Sequence, residues 1–179
     1  MRVGETEFEP SSGADEPVSI EEAELLNADG EPRSDFESSD PCTVRLRCGV
    51  NQPLQDVTCR VTVRGDYGPL FSVGSEHLPQ AEPGRYVVEC ALAALPLLPG
   101  LYRVDVELCY AGQDAWLLPR SVAAFRVTTP LEAFGSQSVV GATKSRGGFL
   151  AVPYRWRLED ATGAHQLPGL HQPSCAPPR

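Results

Sequence analysis

The chain has 179 residues, 41% hydrophobic and 22% charged, which suits one soluble domain of ordinary size with extensions at its ends. A formal net charge of -9 and a pI near 4.8 argue against a nucleic-acid backbone as the main ligand, because phosphate neutralisation needs a basic surface. No apolar run reaches about 18 residues, so no transmembrane helix is expected, and the acidic start MRVGETEFEP lacks the apolar stretch of a secretory signal.

Residues 1–16 are rich in Glu, Ser, Gly and Pro without periodicity, and read as an acidic disordered leader or linker. Residues 1–40 hold 13 of the 24 acidic residues and 2 of the 15 basic ones, so the remainder is close to neutral. The plain meaning of that asymmetry is a solvated leader.

Strand patterns then follow one another, with turn residues between them. In 18–27, Val18 and Ile20 alternate, while Ala23 and Leu25 alternate one residue out of phase. A β-bulge near Glu21 and Glu22 reconciles the two, and Asp29-Gly30 marks the turn that follows. In 43–49, Val44, Leu46 and Cys48 face one side, with Arg45 and Arg47 on the other. In 57–64, Val57, Cys59, Val61 and Val63 alternate with Thr58, Arg60, Thr62 and Arg64. Segment 85–92 places Tyr86, Val88, Cys90 and Leu92 inward. The apolar bulk of 91–99 is limited by Pro96 and Pro99 to a turn or a short 3₁₀ stretch. Segment 101–110 places Tyr102, Val104, Val106, Leu108 and Tyr110 inward, with Arg103, Asp105 and Glu107 outward. A short strand is expected over 121–127. The glycines of 135–148 are loop-like, and strand character resumes in FLAVPYRWRL, 149–158. Pro153 cannot donate to a ladder, which favours an edge strand or one exchanged between chains. Residues 161–179 carry four prolines and read as a disordered tail.

Alternation with one wet face belongs to antiparallel sheets. About seven short strands predict an all-β, immunoglobulin-like antiparallel β-sandwich over 17–160, without the Cys…Trp…Cys hallmark of antibody domains. The six cysteines form no C-x-x-C pair, and His77, His165 and His171 lack metal-ligand spacing. Buried free thiols are the simplest expectation for Cys48, Cys59 and Cys90, with disulfides between facing strands as the alternative.

Enzyme signatures are missing. The nearest approach to a phosphate loop, GSQSVVGATKS over 135–145, has its glycine and lysine wrongly spaced. Neither G-x-S-x-G nor H-E-x-x-H occurs. Asp105 and Glu107 share an outward face, but no apolar pocket is indicated that would raise a carboxyl pKa as a glycosidase needs. We therefore expect no catalysis, no metal and no cofactor. A binding surface remains. Its candidates are Arg45, Arg47, Arg60, Arg64, Arg103, Asp105 and Glu107, beside Glu89. Such multi-donor side chains suit hydroxyl-rich ligands. Tyr67, Trp116, Tyr154 and Trp156 are candidate rings for sugar C–H faces, although Trp116 equally fits a core cap and Trp156 a buried anchor for its strand. The competing expectation is that the charges merely pair across strands.

Four stretches carry a resemblance: VSIEEAELLNADG (18–30), FESSDPCTVRLR (36–47), RYVVECALAALPLLPGLYRVDVEL (85–108) and AAFRV (123–127). Together they resemble the C-terminal domain of the nucleotide-binding subunit of O-antigen polysaccharide ABC transporters, the Wzt C-terminal family. LPLLPGLYRVDV is the most specific element, and the likeness covers about 17–128; GGFLAVPYRWRLE (147–159) is similar to the family's closing strand with its tryptophan. The resemblance implies a sandwich that binds the non-reducing end of a polysaccharide in the cytoplasm, at the inner face of the inner membrane, before export. It implies the transporter's ATPase domain and a second copy of the chain as partners. The copies would dimerise through an exchanged C-terminal strand, with Phe149, Val152, Tyr154 and Trp156 as its candidate residues. Contact with the membrane would be indirect, through the transporter. No Walker motif precedes the sandwich, so the chain is either an excised domain or a stand-alone relative, with the acidic leader as a possible tether. The likeness lies in framework positions, so sugar-binding residues do not transfer one by one. The alternative function is an immunoglobulin-like dimerisation module that contacts a protein and no glycan.

Overall fold

The structure is a computed structural model that describes residues 16–75, 78–111, 120–128 and 152–160. Ten strands make up the described fold, and no helix occurs among these residues. They are β1 (Val18–Leu26), β2 (Asp35–Phe36), β3 (Cys42–Val50), β4 (Leu54–Gly65), β5 (Gly68–Gly74), β6 (Leu78–Ala81), β7 (Gly84–Leu92), β8 (Gly100–Cys109), β9 (Arg120–Val127) and β10 (Tyr154–Asp160). A four-stranded sheet has the order β1-β3-β7-β10. A six-stranded sheet runs β2-β9-β8-β4-β5, with β6 beside the start of β4. All pairings are antiparallel except that of the two-residue β2 with β9.

Alternation produces this sandwich directly. The inward sets Val44, Leu46 and Cys48 of β3 and Cys90 and Leu92 of β7 meet Cys59, Val61 and Val63 of β4 and Val104 and Val106 of β8 in one buried core. Burial of such side chains contributes about 1.5–3 kcal/mol each, the main term holding the sheets together. Edge-to-face packing of Phe36 on Phe125, with ring centroids 5.8 Å apart, and stacking of Tyr102 on Phe125 close one end. The same end is plugged by Leu95 and Leu97, fully buried on the irregular link between β7 and β8. That link is pinned by Ser39 N–H donating to the Leu95 carbonyl and Leu95 N–H donating to the Asp40 carbonyl.

The expected bulge is present. The register of β1 on β3 shifts between Ile20 and Glu22, so Val18, Ile20 and Leu25 all point into the core despite their phase break. The Asp29-Gly30 turn is also present: Gly30 has φ +80°, and Asn27 Oδ1 accepts from the backbone of Asp29 and Glu31. Strands β2, β5 and β6 were not expected. β5 arises because Asp66-Tyr67 turns the chain and Gly68, at φ +119°, supplies a backbone conformation open to glycine. The cysteine alternatives are also resolved, since Cys42, Cys48, Cys59, Cys90 and Cys109 are all free thiols.

Candidate functional site

Strand parity assigns each outward side chain to a face, and the pairing assigns each strand to a sheet. The result divides the arginines. Arg45 and Arg47 lie on the outer face of the four-stranded sheet, whereas Arg60, Arg64 and Arg103 lie on the outer face of the six-stranded sheet. These are opposite surfaces of the sandwich, so the seven charged candidates form two sets and no common groove.

On the four-stranded sheet the charges neutralise one another. Arg45 lies between Glu24 and Glu89, with its Nε donating to Glu89 at 2.8 Å. Arg47 pairs with Glu22 at 2.9 Å, Arg85 with Glu21 at 3.3 Å, and Arg157 with Glu159. Arg47 and Arg85 are largely solvent-exposed, and such pairs contribute little to stability.

The six-stranded sheet presents a different surface. Arg60 pairs with Glu107 at 3.1 Å, and Arg64 with Asp105 at 3.3 Å. Between them lies the row Ser72, Thr62, Asp105 and Ser121, in which the Thr62 and Ser72 hydroxyls are hydrogen-bonded at 2.8 Å. Asp105 points outward as expected, yet it is only 7% exposed, with the Arg64 guanidinium bridged to it. Thr62 is covered to the same degree. Arg103, exposed, lies opposite Arg64 in the next row. Tyr67, at the tip of the β4–β5 turn, is fully exposed.

At the other end of this sheet a cleft of about 250 Å³ is lined by Gln52, Pro53, Gln55, Gln80, Tyr110 and Ala111. Its shape depends on Asp56, whose φ of +53° breaks the regular run of β4 so that Leu54, Gln55 and Val57 pair with β6. Backbone strain of this sort in a residue other than glycine costs about 1–3 kcal/mol and tends to cluster at functional surfaces. Neither this cleft nor the Thr62–Ser72 pair was expected. Thr62 was legible as outward, but its partner lies on a strand that alternation alone did not reveal.

The aromatic candidates separate as well. Trp156 is 8% exposed and packs in the core, which removes it from the ring candidates and makes it the anchor of β10. Val152 is buried beside it, and Tyr154 is exposed on the same strand. Trp116 and Phe149 lie outside the described residues, as do His77, His165 and His171. Among the described residues no group of His, Cys, Asp or Glu is arranged to hold a metal ion, and no helix is long and apolar enough to cross a membrane. Burial pushes the Cys42 and Cys48 thiols up to about 12, with the Glu21 carboxylate adding to the shift at Cys48. Cys59 and Cys90 are likewise raised by burial, and then by nearby thiols, Cys48 and Cys90 acting on Cys59 and Cys42 on Cys90, so these cysteines are packing groups and not nucleophiles.

Fold and surface together define an immunoglobulin-like β-sandwich with two charged outer faces. The family model of the Wzt C-terminal domain matches residues 11–142, and the chain belongs to that family. Membership of that family associates the chain with an O-antigen ABC transporter. A solved structure, the crystal structure of the C-terminal domain of Wzt, is similar with a TM-score of 0.57 at 13% identity, over 68% of this chain and 80% of that one. That likeness is one of fold. No curated protein matches the chain.

Proposed function

We propose that this sandwich, over residues 17–160, binds the terminal region of an O-antigen-type polysaccharide in the cytoplasm and so couples it to the exporter. The outer face of the six-stranded sheet is the binding surface. The observation that carries the reading is the pair of adjacent arginine–carboxylate bridges, Arg60–Glu107 and Arg64–Asp105, flanking the hydroxyl row of Thr62 and Ser72. A bridge does not exhaust its members: a guanidinium keeps further N–H donors and a carboxylate further lone pairs. Held rigidly by one another on a sheet, they offer donors and acceptors at fixed spacing, which vicinal sugar hydroxyls require. Tyr67 supplies a ring for an apolar sugar face.

The test is a calorimetric titration of the full chain with the O-polysaccharide of its own source. Saturable binding without turnover is expected. Arg60→Ala should weaken it by about tenfold or more, as the loss of a charge-assisted hydrogen bond implies. Arg45→Ala, on the opposite face, should leave it unchanged. Loss of binding from Arg45→Ala with none from Arg60→Ala would move the site to the four-stranded sheet.

A second reading, dimerisation, is favoured by β10. It closes the edge of the four-stranded sheet beside β7 through seven residue pairs and brings Trp156 into the core. A strand that completes a sheet edge in one chain completes the same edge when supplied by a second copy. Light scattering of the full chain, expected to give a homodimer, tests it, and a monomer at micromolar concentration would count against it.

A further inference from the structure

The cleft beside the start of β4 has no part in the proposed binding face, and its chemistry is different. No charged side chain lines its volume of about 250 Å³, in a chain of net charge -9. Three glutamine side chains converge on it. The amide of Gln80 donates to Glu82, whereas those of Gln52 and Gln55 make no hydrogen bond among the described residues. Tyr110 also lines the cleft and is only 7% exposed. A buried phenol ordinarily finds a partner. The Tyr110 hydroxyl makes no hydrogen bond among the described residues and is not sealed in by them, so it opens into the cleft. The backbone at Asp56, with φ +53°, is strained to hold this shape.

Amide and phenol groups without partners suit a neutral occupant rich in amides. At about 250 Å³ the cleft falls below the roughly 300–1,000 Å³ of pockets that enclose a small molecule, so a short stretch of polypeptide fits it better. One such stretch begins beside it. The Glu16 carbonyl accepts from Asn51 Nδ2 at 2.7 Å and the Pro17 carbonyl from the Asn51 N–H at 2.9 Å, which pins the entering chain next to Gln52. Upstream, residues 10–14 read PSSGA, a neutral run of small residues between Glu9 and Asp15 in an otherwise acidic leader. Only Asp15 separates that run from the anchored Glu16. We infer that residues 10–14 of this chain occupy the cleft, their backbone amides paired with Gln52 and Gln55 and one of their carbonyls accepting from the Tyr110 hydroxyl. A tethered segment meets its site at an effective concentration on the millimolar scale, so contacts too weak to retain a free peptide hold it. Glu5, Glu7 and Glu9 find no counter-charge in the cleft and stay outside it. Docking of this run turns the leader from a loose tether into a joint of fixed direction.

The experiment is hydrogen–deuterium exchange of the full chain, read by mass spectrometry over residues 11–14. Their amides should exchange about tenfold or more slowly than in an unstructured peptide of the same sequence. Tyr110→Phe removes only the hydroxyl and should cut that protection by about fivefold, as the loss of one hydrogen bond implies. Gln55→Glu sets a carboxylate against an acidic leader and should abolish it. In both variants, exchange across β4 and β8 should match wild type, which separates loss of docking from loss of fold. If Tyr110→Phe loosens those strands as well, Gln55→Glu, at an exposed side chain, decides. Exchange of 11–14 at the unstructured rate in wild type, or equal protection in wild type and both variants, would overturn the inference. Protection that rises with protein concentration would assign the cleft to the leader of a second copy and overturn it as well. None of these outcomes depends on whether the O-polysaccharide binds.

Discussion

At the scale of single residues, the buried thiols make the sharpest statement. In the folded chain Cys42 and Cys48 stay protonated up to about pH 12, whereas an unfolded thiol ionises near 9.0. Between those values the native state holds protons that the unfolded state releases, so the stabilisation is complete below about pH 9 and is lost as pH rises toward 12. The urea midpoint should therefore be lower at pH 10 than at pH 7.5. Under native conditions a thiol reagent followed by peptide mass mapping should modify Cys109, which is half-buried, well before Cys42, Cys48, Cys59 or Cys90. Simultaneous modification of all five would contradict the packing described. Alternation pointed Cys48, Cys59 and Cys90 at the core but left their pairing open, because the distance between two facing sheets is not written in either strand.

Among elements, the bulge in β1 is the feature most fully legible in the chain. A phase break in apolar alternation has few physical resolutions, and one extra residue in the strand is the simplest. Glu21 is that residue, and its side chain bridges Arg85 on the surface. Glu21→Ala should change stability by no more than about 0.5 kcal/mol, as exposed pairs do. Deleting Glu21 has another consequence: it flips Val18 and Ile20 to solvent or tears them from β3, at about 3 kcal/mol or more by the burial of two aliphatic side chains. Chemical denaturation of the two variants checks the contrast. β5 was illegible for the opposite reason. GPLFSVG alternates weakly and contains a proline, and it becomes a strand because the Gly68 turn folds it onto β4. β10 behaves as a docked edge, and Trp156→Ala should cost about 3–5 kcal/mol through the cavity it leaves.

For the whole molecule, the decisive information was the assignment of strands to sheets. Parity correctly identified Arg45 and Arg60 as outward, but parity is a property of one strand. Whether two outward residues share a surface depends on non-local pairing, here β3 with β7 and β4 with β8. That is why the arginines were legible as a set and their division was not. Asp105 shows a related limit, since a residue on the wet face is nearly inaccessible in the fold, where Arg64 of the neighbouring strand bridges it. Truncation after residue 146 removes β10, leaves the edge of β7 open and uncovers the core around Trp156's place. Size-exclusion chromatography should then show aggregation in place of a defined species.

The two ends of the six-stranded sheet are not equivalent in what they join. Asn51 ties down Glu16 and Pro17, so any polypeptide preceding them leaves from the end that holds the glutamine cleft. Tyr67 and the arginine pair lie at the far end, ten residues along β4 from Leu54 to Arg64, or about 30 Å at the rise of an extended strand. A sugar chain gripped at that tip would be held a full sandwich length from the point of attachment. Lengthening or shortening the segment before Glu16 would then change where a captured end lies without changing how tightly it is held.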